Sequence, residues 1–469
     1  MENNLTKNPN ILFINPPFQR LLKTIRPYIP YGLLYLASYL ENKGFKTKVY
    51  NADLKINRKN SESKSEIFKE ANDVIKNELP DIVGIGFQTP QYNSALETAK
   101  IVKNLNDNIP IIVGGIHPTF MADETAREKY FDIVVRREGE VTVLELINAL
   151  IDNRSLKDVK GITYKENSSI ISTADRPLIQ DLDSIPFPNR ELLLNKNYYP
   201  HAELGIITLS RGCPYSCSFC ASKAFWGFRT RTPKNIVDEI EYLKKKYHLA
   251  EFWLEGDTFL INRSHVSDLC LELKSRKLNI LWGGMARVDQ INKELIKDMK
   301  SCGLCNISLG VESGSQKILD ITKKGITVDQ VKKAVKILKA EGIFVNTYWM
   351  IGFQEETQET LNETKKLIKK LNPHLARTFI LTPFPGTEEY EKAKRKNRLL
   401  SEDWSQYHVG NPYLIKRPDI DNEIIKQEYY GDFKDIAKKE VIQWISYLLF
   451  HPKLITRKFL EVMYQLKDN

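Results

Sequence analysis

The stretch Arg211-Gly212-Cys213-Pro214-Tyr215-Ser216-Cys217-Ser218-Phe219-Cys220 carries three of the six cysteines in a chain of 469 residues. Thiolates are the usual protein ligands of iron–sulfur clusters, and a closed four-iron cluster takes four of them. Three leave one iron open. An open iron can coordinate a substrate or cosubstrate, as a catalytic centre requires and an electron-transfer centre does not. Two other readings are weaker. A zinc site wants four ligands in paired C-x2-C or H-x3-H units, and no matching His or Cys pair lies near the stretch. Nor can the three cysteines of one short loop all pair with each other, and the polar opening Met1 to Pro9 does not look like a signal peptide. A cytoplasmic location with reduced thiols is expected.

The spacing C-x3-C-x2-C, with the aromatic Phe219 before the last cysteine, resembles the signature of the radical S-adenosylmethionine enzymes. The resemblance implies that Cys213, Cys217 and Cys220 hold a [4Fe-4S] cluster whose open iron chelates the amino and carboxylate groups of S-adenosyl-L-methionine. An electron from the cluster then cleaves the sulfonium to give a 5'-deoxyadenosyl radical.

Upstream, apolar strand-like runs alternate with helical stretches: Ile11 to Ile14, Lys46 to Tyr50, Asp81 to Gly86, Ile109 to Val113 and Asp132 to Val135. This rhythm predicts an α/β fold, a doubly wound parallel sheet over residues 1–150 with ligands beyond the carboxyl ends of its strands. No G-x-G-x-x-G follows the first strand, which disfavours a dinucleotide. Taken with the cysteines, this half resembles the Rossmann-like cobalamin-binding domain of the cobalamin-dependent radical enzymes. The features that carry the resemblance are Asn15-Pro16-Pro17, the helix from Tyr31 to Ala37, the loop Gly114-Gly115-Ile116-His117-Pro118-Thr119, and Gly139-Glu140. It implies cobalamin contacts at Pro17, Gly32, Gln88, Thr89, Gly114, Gly115, His117, Thr119, Gly139 and Glu140. His117 is expected as a contact at the cofactor's edge rather than a cobalt ligand, since the D-x-H-x-x-G loop that supplies an axial histidine elsewhere is absent. Arg137 stands where the branch commonly has glycine.

Residues 151–200 form an expected linker, with a hairpin around Gly161 to Ser172 and an extended, proline-bearing segment from Asp181 to Pro188. From 201 to 390 the strand-then-helix pattern recurs in six units, with strands near 204–209, 250–255, 279–284, 305–310, 343–351 and 376–381. Six units suggest a partial (β/α)6 barrel of TIM type, its active site at the carboxyl ends of the strands. The cysteine loop follows the first of them. By resemblance, S-adenosylmethionine contacts are expected from Phe219 near the adenine, Asp257 after the second strand, Arg287 after the third, Glu312 and Ser313 after the fourth, and Gly352 after the fifth. Gln354 and Glu355 replace the Pro and Gly of a segment usually written G-F-P-G-E-T, which puts its backbone course in question. Cys302 and Cys305 fit small buried hydrophobes at a helix end and a strand start.

Residues 391–469 form an expected helical cap over the barrel mouth. The apolar run Val441 to Phe450 is too short to cross a bilayer, although its basic neighbours Lys453, Arg457 and Lys458 suit peripheral contact with a membrane. A composition of 42% hydrophobic and 27% charged residues is that of a globular chain. The net charge of +10 is scattered, with one dense run, Lys392 to Arg398, that reads as a solvated helix end; no nucleic-acid partner is expected.

The whole pattern resembles a cobalamin-dependent radical enzyme. The resemblance implies a small-molecule substrate, such as a lipid or natural-product intermediate, an unactivated carbon methylated through cobalamin, and an electron donor such as flavodoxin or ferredoxin. Cyclisation, ring rearrangement or hydroxylation are the enzymatic alternatives, and a cobalamin-binding sensor the non-enzymatic one. RNA methylthiolation is set aside, because no cysteine precedes Cys213.

Overall fold

A computed structural model describes residues 5–18, 20–22, 28–54 and 63–433. The N-terminal unit runs β1 (Asn10–Asn15), α1 (Tyr31–Glu41), β2 (Lys46–Asn51), α2 (Lys64–Glu78), β3 (Ile82–Gly86), α3 (Tyr92–Leu105), β4 (Ile111–Gly114), α4 (Ile116–Phe120), α5 (Ala122–Arg127), β5 (Ile133–Val135) and α6 (Glu140–Ile151). The strands lie in the order β2-β1-β3-β4-β5, all parallel. Both faces carry helices, so the strands are near-continuous apolar runs rather than alternating ones: Ile11, Leu12, Phe13 and Ile14 are all buried. The order reverses between β1 and β3, and a doubly wound sheet opens its crevice at such a switch point.

The hairpin expected within the linker is present as β6 (Ile162–Glu166) and β7 (Ser169–Ser172), but it does not stand apart. It pairs antiparallel with β5 and extends the sheet to seven strands. The apolar face of Ile162 and Tyr164 is the reason, because a free two-stranded hairpin could not bury it.

The second unit opens with β8 (Ile206–Thr208), followed by a two-stranded ladder of β9 (Ser210–Arg211) and β10 (Arg229–Thr230) that the sequence pattern did not reveal. Then come α7 (Ser222–Trp226), α8 (Pro233–Tyr247), β11 (Glu251–Glu255), α9 (Arg263–Ser275), β12 (Leu281–Arg287), α10 (Lys293–Ser301), β13 (Leu304–Glu312), α11 (Gln316–Ile321), α12 (Val328–Ala340), β14 (Phe344–Ile351), α13 (Gln358–Leu371), β15 (Leu375–Ile380), α14 (Glu388–Arg395) and α15 (Asn422–Glu428). The six long strands pair in parallel in the order β8-β11-β12-β13-β14-β15, the expected partial barrel. Its helices start where side chains satisfy the free amides of the first turn. Thr232 caps α8 with Pro233 at the first position, and Thr327 and Thr357 form capping boxes on α12 and α13. Each such cap contributes about 1 kcal/mol.

One apolar core runs through both units, from Leu34 and Leu146 in the first to Ile240, Leu309 and Trp349 in the second. The join also holds a fully enclosed ion pair, Arg190 to Glu239 at 3.0 Å, with the guanidinium over the Tyr31 ring. Of the expected cap, the run Val441 to Phe450 and the basic residues after it lie outside the described residues. Among the described residues no helix is long and apolar enough to cross a membrane.

Candidate active site

The cysteine loop leaves the barrel after β8 and is cinched at its base by the β9–β10 ladder. Gly212 has φ +82°, and a Cβ there would lie 1.2 Å from the Gly227 carbonyl oxygen, so only glycine closes this neck. At its far end the loop is held by three bonds: the Ser218 amide donates to the Thr322 carbonyl at 2.9 Å, the Ser218 hydroxyl to Glu389 at 2.8 Å, and the Glu389 amide to the Ser218 carbonyl at 3.0 Å. What stays largely unengaged is the three thiols. Cys213 and Cys217 are half-buried and Cys220 is exposed, and none forms a disulfide. Surrounding protein pushes the Cys213 thiol up, and the Cys220 thiol up to about 11, so iron must displace protons there rather than meet ready thiolates.

No group of three or more His, Cys, Asp or Glu side chains among the described residues is set to hold a single metal ion. Three thiols on one loop, with the Asp257 carboxylate near Cys213 and Cys220, are a sulfur-rich donor set of the kind iron–sulfur clusters use.

The expected cosubstrate residues converge on this loop from the strand ends. Ser222, two residues past Cys220, donates its hydroxyl to Asp257, and its amide approaches the Cys220 sulfur at 3.5 Å. Arg287 is buried beneath the loop. Its guanidinium lies 3.6 Å from the Tyr215 ring, is held by Asp289 at 3.0 Å and the Lys324 carbonyl at 2.7 Å, and reaches within 4.0 Å of the Cys217 sulfur. Its carboxylate partner within the protein is Asp289. Glu312 sits at φ +72° and pairs with Lys324 at 2.7 Å, and Lys324 in turn lies over the Phe219 ring at 5.9 Å. Phe219 packs edge-on against Phe353. The Ser313 hydroxyl is spent inside the protein, on Thr364 and on the Ser315 amide.

Gly352 has φ +78°, with the Arg417 guanidinium 2.9 Å from where a Cβ would stand. Its amide donates to Glu356, and its carbonyl accepts from Arg417 at 2.7 Å. Burial pushes Glu356 up to about 7, against the bonds from Thr360 and Gly352 that favour its charged form. Gln354, unexpected in this segment, is fully buried and donates to Glu389 at 2.8 Å; it ties the turn to the helix that anchors the cysteine loop.

In the N-terminal unit the expected residues also gather at the strand ends, bonded chiefly to one another. Gly115 has φ +114°, and a Cβ would lie 2.6 Å from the Phe87 carbonyl oxygen. The Thr119 hydroxyl donates to Gly115 and accepts the Arg137 amide at 2.8 Å, with Arg137 at φ +61°. Gln91, which the sequence reading passed over, joins the Asn15 side chain and the Pro16 carbonyl, next to the buried Pro17. Gln88 and Gly32 face solvent. Gly139 is a packing position, since a Cβ would meet Leu36 at 2.9 Å.

His117 requires a correction. Expected at the cofactor's edge, it is wholly enclosed by Phe87, Tyr92 and Trp404, its Nδ1 3.2 Å from the Thr89 hydroxyl and its Nε2 without a partner. The Thr89 side chain is buried with it. Burial depresses the imidazole to about 3, so it stays neutral, and it presents no surface to a ligand.

The two mouths meet. Phe120 at the end of α4 packs on Gly386 of the barrel loop and lies 6.2 Å from Phe225 of α7. Arg211, directly before the cysteine neck, reaches into the N-terminal unit, pairing with Glu138 at 2.9 Å and with Glu140, between the rings of Tyr35 and Trp226. Arg229 pairs with Glu138 from the other side at 2.9 Å. Burial by itself raises Glu138, but its bonds from Arg229 and Arg211 outweigh that and hold the carboxyl below its usual range. Glu140, expected on the cofactor, thus serves this clamp with one oxygen, while the other has no partner. A recess of about 660 Å³ opens beside α4 and α5, touching the cofactor loop at Thr119 and Phe120 and no cluster residue.

Comparison with known proteins agrees with this two-part site. Residues 207–368 match the radical SAM superfamily, and residues 24–147 match the B12 binding domain. An uncharacterised methyltransferase of Pyrococcus horikoshii is 35% identical over 468 residues, which cover 97% of this chain and 99% of that protein. The chain belongs to the radical SAM superfamily. Within it, the anaerobic magnesium-protoporphyrin IX monomethyl ester cyclase of Rubrivivax gelatinosus is 34% identical, over 87% of this chain and 74% of that protein. The fold matches the cobalamin-dependent S-adenosylmethionine radical enzyme OxsB, solved with aqua-cobalamin and S-adenosylmethionine, at a TM-score of 0.72 and 19% identity, over 98% of this chain and 76% of that one. This radical SAM enzyme uses a [4Fe-4S] cluster, S-adenosylmethionine and cobalamin. The freed thiols and the glycine-lined strand ends described above fit those groups.

Proposed function

We propose that the chain methylates an unactivated carbon of a small molecule. When bound, the cluster supplies the electron that opens S-adenosylmethionine, and cobalamin supplies the methyl group to the carbon. The residues of the chain do the rest. Cys213, Cys217 and Cys220 hold the cluster, Asp257, bonded to Ser222 beside Cys220, and Glu312, paired with Lys324, meet the polar end of the cosubstrate, and Phe219 offers a flat apolar wall. Gly115, at φ +114° against the Phe87 carbonyl, sets the turn of the strand end on which cobalamin would rest. The observation that carries the reading is the clamp of Arg211 on Glu138 and Glu140, which sets the cysteine loop against the strand ends of the B12-binding domain.

Supply of single electrons calls for a reduced carrier such as flavodoxin or ferredoxin, and a cytoplasmic location suits the reduced thiols; a lipid or natural-product intermediate fits as substrate. The test is anaerobic reconstitution with iron, sulfide and cobalamin, followed by product analysis with S-adenosylmethionine deuterated at the methyl group. Methyl donation releases S-adenosylhomocysteine and reductive cleavage releases 5'-deoxyadenosine, and both are expected. Formation of 5'-deoxyadenosine alone would favour cyclisation or another radical outcome, which the similarity to a cyclase keeps as the second reading. Neither product from a fully loaded enzyme would defeat the proposal.

A further inference from the structure

The interior of the barrel holds polar groups that neither the cluster nor the cosubstrate residues use. On β14 the side chains of Val345, Thr347, Trp349 and Ile351 are fully enclosed, and Val345, Trp349 and Ile351 share one core with residues of α12 and α13 such as Val335 and Leu361. Strand side chains alternate between faces, so Asn346, Tyr348 and Met350 face the lumen. Tyr348 and Met350 are only half-buried, so this side is open to solvent. Arg287, Gly310, Tyr348 and Arg377 stand on one rung of the sheet, from β12 to β15.

Arg377 differs from the other cations of this mouth. Arg287 has Asp289 and Lys324 has Glu312, whereas Arg377, half-buried, makes no hydrogen bond or ion pair with any described residue. Withdrawing a guanidinium from bulk water without a counter-charge is unfavourable. Beside it Tyr348 and Phe379 stack at 6.0 Å with their planes 25° apart, a flat apolar wall on the same face. One rung below, Asn346 is 8% exposed; its amide nitrogen donates to the Ser308 hydroxyl at 3.1 Å, and its Oδ1 has no partner. A cation with no partner among the described residues and an aromatic wall thus line one side of one lumen.

Resting on the small-molecule reading above, we infer that the substrate is an anion with a flat apolar body, its carboxylate or phosphate bound by Arg377 and its body on Tyr348 and Phe379. A guanidinium takes either oxyanion in a forked, charge-assisted pair.

The probe for the test is 1-pyrenebutyrate, a flat aromatic acid, set against its uncharged methyl ester and against 1-pyrenyl phosphate, by equilibrium dialysis with the anaerobically reconstituted enzyme. Binding of either acid at least about tenfold tighter than the ester, the ratio falling with salt, is expected from one charge-assisted pair; which acid binds tighter assigns the oxyanion. Arg377→Gln should erase the preference, Arg377→Lys should keep part of it, and Phe379→Leu should weaken acids and ester alike. Equal binding of acid and ester by the unaltered enzyme, no binding of any probe, or a preference unchanged in Arg377→Gln overturns the inference. The unaltered enzyme's ratio and its salt dependence decide even where a variant does not fold. Cleavage of S-adenosylmethionine, measured on the same unaltered sample, separates the two claims. Cleavage without acid preference defeats the lumen site alone, and acid preference without cleavage defeats the enzymatic reading while the lumen site stands.

Discussion

The two mouths of this molecule are built alike and equipped differently. Each lies at the carboxyl ends of parallel strands, where loops gather and main-chain groups come free. In the barrel mouth most polar side chains are held by the protein, as Ser218 by Glu389, Arg287 by Asp289 and Glu312 by Lys324, which leaves the three thiols largely unengaged and Arg377 with no partner among the described residues. In the N-terminal mouth the strand-end groups bind one another and His117 is sealed among rings, which leaves glycine-lined backbone. On this reading the first mouth would hold its cofactor by ligand bonds and the second by shape. Each can therefore be disabled without disabling the other.

The largest effect is expected from Cys217→Ala, which should abolish the cluster's visible absorption and S-adenosylmethionine cleavage while cobalamin still binds. Loss of cobalamin together with the cluster would show that the mouths are not separable. Next in size is Arg211→Gln. It leaves Glu138 and Glu140 buried with one cation fewer, a kind of change that costs about 3–5 kcal/mol, to be read from urea unfolding. A loss below about 1 kcal/mol would mean that the clamp is not what joins the units.

Gly115→Ala should act on the second mouth only. The strain of a side chain at φ +114° against the Phe87 carbonyl, about 1–3 kcal/mol, should lower cobalamin affinity roughly tenfold with iron content unchanged. The last effect concerns pH. His117 is held neutral in the fold at about 3 against 6.5 when free, so the unfolded chain binds more protons between those values and stability falls as pH drops below about 6.5. From about pH 7.5 to about pH 5 the contribution is roughly 2 kcal/mol, and His117→Gln should flatten that part of the profile.

The same contrast explains what was legible in the sequence. Cys213, Cys217 and Cys220 announce themselves, because few residue types bind iron and their spacing is local. The parallel strands of both sheets follow from apolar runs, and all eleven, short β5 and β8 included, lie within a few residues of where the pattern puts them. The cobalamin mouth was legible only as glycines and prolines in order, and His117 was misplaced. The ring of Trp404 that closes over it comes from nearly three hundred residues away, which no local pattern reports. Glu140 was noticed and given to the cofactor because Arg211, its partner, lies in the other unit. Arg377 gave no signal at all, since a single arginine in a strand acquires meaning only from its neighbours on the rung.

The central claim is that the cysteine loop and the B12-binding domain form one site rather than two adjoining ones. Electron paramagnetic resonance of the fully loaded enzyme, with the cluster reduced and cobalt in its divalent state, tests it most directly. The account predicts cobalt and cluster signals broadened by each other, with the broadening reduced in Arg211→Gln. Two sharp, independent spectra at full occupancy of both centres would contradict it.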